Sequence, residues 1–182
     1  FKEIRRLTGT ESLPTPVRDQ ACRLFRSAQT ESLLQGRSLE GFAAACVYAA
    51  CRINAVSRTI EETVADAKAD RDEFRAAYDA LNRELGLAVG PTSPAEYLPR
   101  YATEPEVSSA VERRARELVD RTETEGIANG RNPSGVAAAC LYTAVKEQDA
   151  AVTQREIAAV ASVTPVTIRN TFQELAADPP SQ

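Results

Sequence analysis

The last helical segment of the chain carries side chains whose types and spacing suit contact with a nucleic acid. Thr164 followed by Pro165 is typical of a helix N-cap and a first helical residue. Three apolar side chains then recur at i, i+4 and i+7 and should face a core: Ile168, Phe172 and Leu175. The opposite face of the helix presents Val166, Thr167, Arg169 and Asn170. Arginine can make two hydrogen bonds to the edge of guanine, and apolar side chains can contact the methyl group of thymine. This face could therefore read DNA bases.

This segment has a counterpart earlier in the chain, and the two differ in charge. The earlier helix begins with Asp70-Arg71-Asp72-Glu73, and carboxylates at a helix N-terminus repel phosphate. Residues 165–173 contain one arginine and no acid. We therefore predict that only the later helix contacts DNA. The alternative interpretation is that Arg169 is a plain surface charge, matched by Arg75, and that Val166 is partly buried.

Both helices belong to a long internal repeat. Residues 36–50 read GRSLEGFAAACVYAA, and residues 130–144, 94 positions later, read GRNPSGVAAACLYTA. Over 65 aligned positions the copies share 20 identities. Solenoid units have about 20 to 50 residues, so copies of this length are domains in their own right. We predict two domains, residues 1–90 and 91–182, joined by a linker over residues 86–94 that is rich in glycine and proline.

Each copy has the patterning of a bundle of about five helices, so the fold class is all-α. The runs FAAACVYAAC and VAAACLYTAV are apolar nearly all round, which is typical of a central helix. Ser38 and Asn132 are candidate N-caps of these helices. Matching Thr-x-x-Glu capping boxes, at residues 59–62 and 153–156, open a short fourth helix in each copy. The segment up to Leu13 should be an incomplete first helix.

The last two helices of each copy, residues 59–85 and 153–176, have the outline of a helix-turn-helix: a short helix, a tight turn and a second helix. Any helical bundle contains corners of this kind. The outline alone therefore does not establish DNA binding, and the charge difference between the copies decides in favour of the second.

Composition excludes several classes of protein. The chain has no histidine, no glycine-rich phosphate loop and only scattered carboxylates, so we predict that it is not an enzyme. Its four cysteines lack CxxC spacing, so no metal site is expected, and Cys46 and Cys140 should be buried core residues. No stretch approaches the roughly 20 apolar residues of a membrane span. No targeting segment is recognisable, and without any methionine the chain should be a fragment. Reduced thiols suit a cytoplasmic protein.

Charge suggests the environment in which the protein works. The net charge is −4, and 19 of the 22 basic residues are arginine. An acidic, lysine-poor surface is a common adaptation to a salty cytoplasm. We therefore expect a halophile's protein; the alternative is that the base composition of the genome favours arginine.

At this point the motifs resemble a known family. Gly36-Arg37-Ser38-Leu39-Glu40, Arg58-Thr59-Ile60-Glu61-Glu62 and the stretches over residues 153–158 and 163–170 are similar to the core of archaeal transcription initiation factor B, the counterpart of eukaryotic general factor IIB. The resemblance covers nearly the whole chain. It implies two tandem five-helix cyclin-like domains, the second ending in a helix-turn-helix.

The resemblance also implies partners. Factors of this family clamp a TATA-box-binding protein that is seated on promoter double-stranded DNA, and the full-length protein recruits RNA polymerase. An amino-terminal zinc ribbon would lie outside this chain, so no cofactor is expected in the fragment. We expect a monomer that associates with the nucleoid and not with a membrane.

The resemblance also implies which residues contact DNA, because the family's contact positions can be matched to positions in this sequence. The family's base-contacting valine and arginine, which read a purine-rich element upstream of the TATA box, fall on Val166 and Arg169. Its phosphate-contacting threonine falls on Thr167, and Arg37 matches a residue that touches the DNA backbone downstream. To these we add Asn170 as a base contact, and as further backbone contacts Thr164, Arg131 and Arg155.

Three departures qualify the resemblance. Thr171 and Gln173 stand where the family has further basic residues, Arg131 replaces a common lysine, and the core is acidic instead of basic. Phosphate contacts supply much of protein–DNA affinity, and their loss should weaken binding at ordinary salt. We therefore expect assembly to be best at high salt. A cyclin-like protein adaptor that touches no nucleic acid is the alternative function.

Overall fold

The computed structural model describes residues 1–87 and 89–177. The predicted second domain runs to residue 182, so its last five positions lie outside the described residues. In the described part all regular secondary structure is helical, as the patterning predicts. The chain divides into two compact units, Phe1–Gly90 and Pro91–Gln182. None of the described helices is long and apolar enough to cross a membrane.

Unit 1 is a bundle of five helices in its described residues. They are α1 (Lys2–Thr10), α2 (Thr15–Thr30), α3 (Leu39–Ile53), α4 (Ile60–Asp66) and α5 (Arg71–Leu85). Gly86 ends α5 in the left-handed conformation, with φ of 55°.

Unit 2 repeats this order. A 3-10 turn (Pro94–Tyr97) leads into α6 (Leu98–Thr103), which is followed by α7 (Ser109–Thr124), α8 (Pro133–Glu147), α9 (Gln154–Ala161) and α10 (Pro165–Ala177).

The alanine-rich helices α3 and α8 lie at the centre of their units. Every residue of α3 from Gly41 to Cys51 is buried, and nearly every residue of α8 from Ser134 to Val145 is buried too. Small side chains let the surrounding helices approach closely on all sides. The prediction of two central helices is therefore confirmed.

Side-chain caps fix where the helices begin. Ser38 accepts a hydrogen bond from the Gly41 N–H at 3.0 Å, and Asn132 accepts one from the Ser134 N–H at 3.0 Å. Both predicted Thr-x-x-Glu capping boxes are formed, at the start of α4 and of α9. These caps satisfy N–H groups that have no partner inside the helix.

One close approach sets the position of the last helix in each unit. A β-carbon added at Gly41 would lie 2.9 Å from the Glu73 carbonyl oxygen of α5. At the equivalent Gly135, an added β-carbon would lie 2.8 Å from Cγ2 of Thr167 on α10. The last helix therefore crosses the central helix at a glycine in both units.

Candidate nucleic-acid interface

Helices α9 and α10 form the helix-turn-helix outline of unit 2. The turn has three residues, Ser162 to Thr164, and Ser162 adopts the left-handed conformation with φ of 52°. The Gln154 side-chain amide at the start of α9 donates to the Pro165 carbonyl oxygen at 2.7 Å. The Ser134 hydroxyl of α8 donates to the Ala161 carbonyl oxygen at 3.1 Å. These contacts fix the turn against the central helix and set the direction of α10.

The buried face of α10 differs in one detail from the prediction. Ile168 and Leu175 are buried as expected. Phe172 is only half-buried and makes an edge-to-face contact with Tyr142, with ring centroids 5.3 Å apart. Thr171 is 3% exposed and takes the inward position beside Ile168. Thr171 was not among the residues predicted to face the bundle, and it does so because position i+3 from Ile168 lies on the same side of the helix.

The outer face of α10 is exposed as predicted except at Thr167, which is half-buried with its Cγ2 facing Gly135 of α8. Val166 is 59% exposed, the largest fraction among the large hydrophobic side chains that stand exposed in the described residues. Arg169 and Asn170 are exposed as well, and so is Thr164 at the N-cap. The alternative of a partly buried Val166 is therefore wrong. An apolar side chain held in solvent beside an arginine and an amide is a feature that solubility does not explain.

Two threonines share the start of α10. Thr164 Oγ1 accepts the Thr167 N–H at 3.2 Å, which confirms Thr164 as the N-cap. The two hydroxyl oxygens lie 3.0 Å apart and share one hydrogen. When Thr164 donates, the Thr167 hydroxyl keeps its own hydrogen for an outside acceptor such as a phosphate oxygen.

Three of the predicted contact residues lie around one shallow depression between α8 and α10. Arg131, Thr167 and Asn170 all line it. Arg131 is not free, however. Its guanidinium donates to Thr171 Oγ1 at 3.2 Å and forms an ion pair with the carboxylate of Glu174. Glu174 was not among the predicted site residues, since nothing in the local sequence links positions 43 residues apart.

The two remaining predicted arginines lie apart from this depression. Arg155 is exposed on α9, next to Glu156. Hydrogen bonds from the Thr153 hydroxyl and backbone N–H lower the pKa of Glu156, so this capping carboxylate stays ionised. Arg37 lies in unit 1 just before α3, is exposed, and donates to the Leu33 carbonyl oxygen at 2.8 Å.

The corresponding face in unit 1 is acidic. Asp70 caps α5 by accepting the backbone N–H groups of Asp72 and Glu73, both at 2.9 Å. The Glu73 carboxylate accepts the Asp70 N–H at 2.9 Å. The N-terminus of α5, which would otherwise attract an outside anion, is therefore already occupied by carboxylates of its own first turn.

No group of three or more histidine, cysteine or acidic side chains is placed to hold a metal ion among residues 1–87 and 89–177. Cys46 and Cys140 are fully buried in the central helices, as predicted. Burial raises the pKa of the Cys140 thiol to about 12, so it stays protonated.

Comparison with known proteins agrees with this description. Residues 1–84 and 88–178 match the family model described as Transcription factor TFIIB repeat. Transcription initiation factor IIB 1 of Halobacterium salinarum is 61% identical over 175 residues, which cover 96% of this chain and 61% of that protein. Transcription initiation factor IIB 3 of the same organism is 45% identical over 174 residues, 96% of this chain and 55% of that protein. Transcription initiation factor IIB of Archaeoglobus fulgidus is 44% identical over 176 residues, 97% of this chain and 54% of that protein.

Fold and matches together define a protein built from two tandem cyclin-like domains. The chain belongs to the transcription factor TFIIB repeat family, and the resemblance to the archaeal factor is confirmed. The family consists of transcription factors, which confirms the prediction that the chain is not an enzyme. The chain spans between 54% and 61% of the length of these three relatives.

Proposed function

We propose that this chain is the core of a general transcription initiation factor. It binds the TATA-box-binding protein on promoter DNA and reads a flanking upstream element in the major groove through α10. In this proposal the whole factor recruits RNA polymerase and works at the nucleoid, and the chain acts as a monomer that needs no cofactor of its own. Any zinc belongs to an amino-terminal ribbon outside these residues.

The observation that carries the proposal is the outer face of α10. It combines an exposed Val166 with exposed Arg169 and Asn170, and no acid stands between Pro165 and Gln173. Valine suits a thymine methyl group, arginine a guanine edge and asparagine an adenine edge. The same position in unit 1 opens with three carboxylates, at Asp70, Asp72 and Glu73.

Contacts to the DNA backbone complete the proposed interface. Thr164 and Thr167 offer hydroxyl groups at the N-terminus of α10, where the helix dipole favours an anion. Arg131, just before α8, and Arg155, on α9, add positive charge in unit 2, and Arg37 does so in unit 1. Such contacts position the protein on the duplex, while the base contacts specify the sequence.

We expect Arg169→Ala to weaken the complex with a promoter duplex and the TATA-box-binding protein by about 1 to 3 kcal/mol, or roughly five- to 150-fold, because one forked contact to a base is lost. The repeat supplies a matched control. Arg75 occupies the equivalent position on α5, so Arg75→Ala removes the same side chain from the acidic copy and should leave affinity unchanged. Gel-shift titration of both variants measures the difference.

The two variants also separate the proposal from its alternative. A pure protein adaptor would bind its partner equally well with either substitution and show no DNA-dependent loss. Equal DNA affinity for Arg169→Ala, Arg75→Ala and the wild type would therefore refute base reading by α10. Binding to the TATA-box-binding protein without DNA should be the same in all three.

Salt gives an independent prediction. With a net charge of −4 and a relative from a halophile at 61% identity, we expect the complex with the promoter to be most stable at molar salt. At 1 M salt the screening length is about 3 Å, so long-range repulsion between this acidic protein and DNA is suppressed. A gel-shift series from 0.2 to 3 M KCl measures how the affinity for the promoter depends on salt. A complex that is strongest at low salt and fades steadily would contradict the prediction.

A further inference from the structure

We propose that Glu174 controls the phosphate contact of Arg131 by holding its guanidinium in an intramolecular ion pair. This inference rests on the proposed function, because it assumes that the face of α10 lies against DNA. The inference assigns Glu174 a role in DNA binding: the residue weakens binding at low salt, and this effect is lost at high salt.

The geometry of the pair supports this role. Both carboxylate oxygens of Glu174 accept from Nη2 of Arg131, and Nη1 donates to the buried Thr171 hydroxyl at 3.2 Å. The side chains are 32% and 50% exposed, so the pair is accessible to solvent and can exchange partners. A phosphate approaching the depression beside Thr167 and Asn170 must therefore compete with the Glu174 carboxylate for the same N–H groups.

Unit 1 shows that the ion pair is not required by the fold. Arg37 is the repeat equivalent of Arg131, and the positions equivalent to Thr171 and Glu174 are Ala77 and Ala80. The Arg37 guanidinium instead donates to the Leu33 carbonyl oxygen, which is uncharged. The same bundle thus forms without a carboxylate at this place. A carboxylate at this position is therefore present only in the copy that is proposed to read DNA.

Electrostatics predicts how the effect of Glu174 on DNA affinity changes with salt. An exposed ion pair contributes up to about 1 kcal/mol in dilute salt and less when mobile ions screen it. Removing the carboxylate frees Arg131 at low salt, whereas at molar salt the guanidinium is already close to free. The effect of Glu174 on affinity should therefore decrease as salt increases.

The test measures the affinity of the 182-residue chain for a promoter duplex with the TATA-box-binding protein, at 0.3 M and 2 M KCl, with circular dichroism to show that each variant is folded. We expect Glu174→Gln to bind about two- to fivefold more tightly at 0.3 M and less than twofold more tightly at 2 M. Glu112→Gln is the matched control, since Glu112 is also a solvent-accessible carboxylate, 34% exposed, paired with an arginine, Arg116 at 3.3 Å on α7. It removes the same charge and should change affinity little.

A double variant tests the mechanism. In an Arg131→Ala background the gain from Glu174→Gln should disappear, since there is no guanidinium left to release. An equal gain in both backgrounds would mean that Glu174 only repels phosphate, and it would overturn the pairing proposal. Unchanged or weaker binding by Glu174→Gln would overturn it too, with weaker binding indicating that the carboxylate positions Arg131 for contact.

The outcomes separate this inference from the proposed function. If Arg169→Ala loses affinity while Glu174→Gln has no effect, the ion-pair inference fails alone. If no variant, including Arg169→Ala, alters binding to DNA, both fail.

Discussion

Replacing Gly41 by valine should lower the free energy of unfolding by about 3 kcal/mol, the largest effect that we expect from a single substitution in unit 1. The new β-carbon would lie 2.9 Å from the Glu73 carbonyl oxygen and 3.0 Å from its carbonyl carbon. These are backbone atoms of α5 and cannot rotate away. Helix α5 would have to shift from α3, and such overpacking of a core costs about 1 to 3 kcal/mol, sometimes more.

Urea denaturation followed by circular dichroism measures this change, and Gly9→Val provides the control. Gly9 lies in α1, and nothing surrounds the place of its added β-carbon within 4 Å. Valine there should change stability by less than about 0.5 kcal/mol. Similar curves for the two variants would show that the crossing of α3 and α5 tolerates a side chain.

A second large effect should come from Glu11, whose carboxylate is buried beside Arg58. The Glu11 side chain is 4% exposed, and its Oε2 lies 3.3 Å from Arg58 Nε. Burial raises the pKa of Glu11, the charge of Arg58 lowers it, and nearby Asp66 and Glu62 raise it, so that together they move this pKa from its usual value of 4.5 to about 7. The folded chain therefore binds this proton more tightly than the unfolded chain.

The sign of the pH dependence follows from this difference. Between about pH 4.5 and 7 the folded state holds a proton that the unfolded state has released, so stability falls as pH rises. One pKa unit corresponds to about 1.4 kcal/mol, so the loss from Glu11 amounts to about 3 kcal/mol above pH 7. At low pH, where both states hold the proton, this loss is absent.

Glu11→Gln should remove the effect. We expect the variant to be more stable than wild type by about 2 to 3 kcal/mol at pH 8 and nearly equal to it at pH 4.5. Arg58 keeps hydrogen bonds to the Ser57 and Glu11 carbonyl oxygens, so it is not left unpaired. Glu61→Gln is the control, because the Glu61 side chain, paired with Arg71, is 37% exposed against 4% for Glu11. A Glu11→Gln variant that is less stable than wild type at pH 8 would show that the ion pair outweighs the cost of burial.

The helical repeat could be predicted from the sequence because its signals are local. Central helices follow from runs such as FAAACVYAAC, which leave no polar face. The N-caps at Ser38 and Asn132, as well as both capping boxes, follow from residues at most three positions apart. The exposure of Val166 follows from the spacing of Ile168 and Leu175 on the other face of α10.

What the sequence did not predict depends on contacts between distant segments. The ion pair of Arg131 with Glu174 joins residues 43 positions apart, and its formation depends on where α8 and α10 cross. Glu11 follows α1 at a position that is usually solvated, and its buried contact with Arg58 joins residues 47 positions apart. The spacing of Ile168, Phe172 and Leu175 predicts the inner face of α10 without Thr171. Thr171 is buried as well, because its burial depends on how α10 is rotated against the bundle.

The glycine crossing also bears on how the two copies could diverge. Because α3 meets the backbone of α5 at Gly41, and α8 meets the Thr167 side chain of α10 at Gly135, the depth of the last helix is set from its inner side. Substitutions on its outer side can then reverse the local charge without displacing the backbone. A duplicated bundle of this kind could acquire or lose a ligand through a few surface mutations, while its architecture is inherited unchanged.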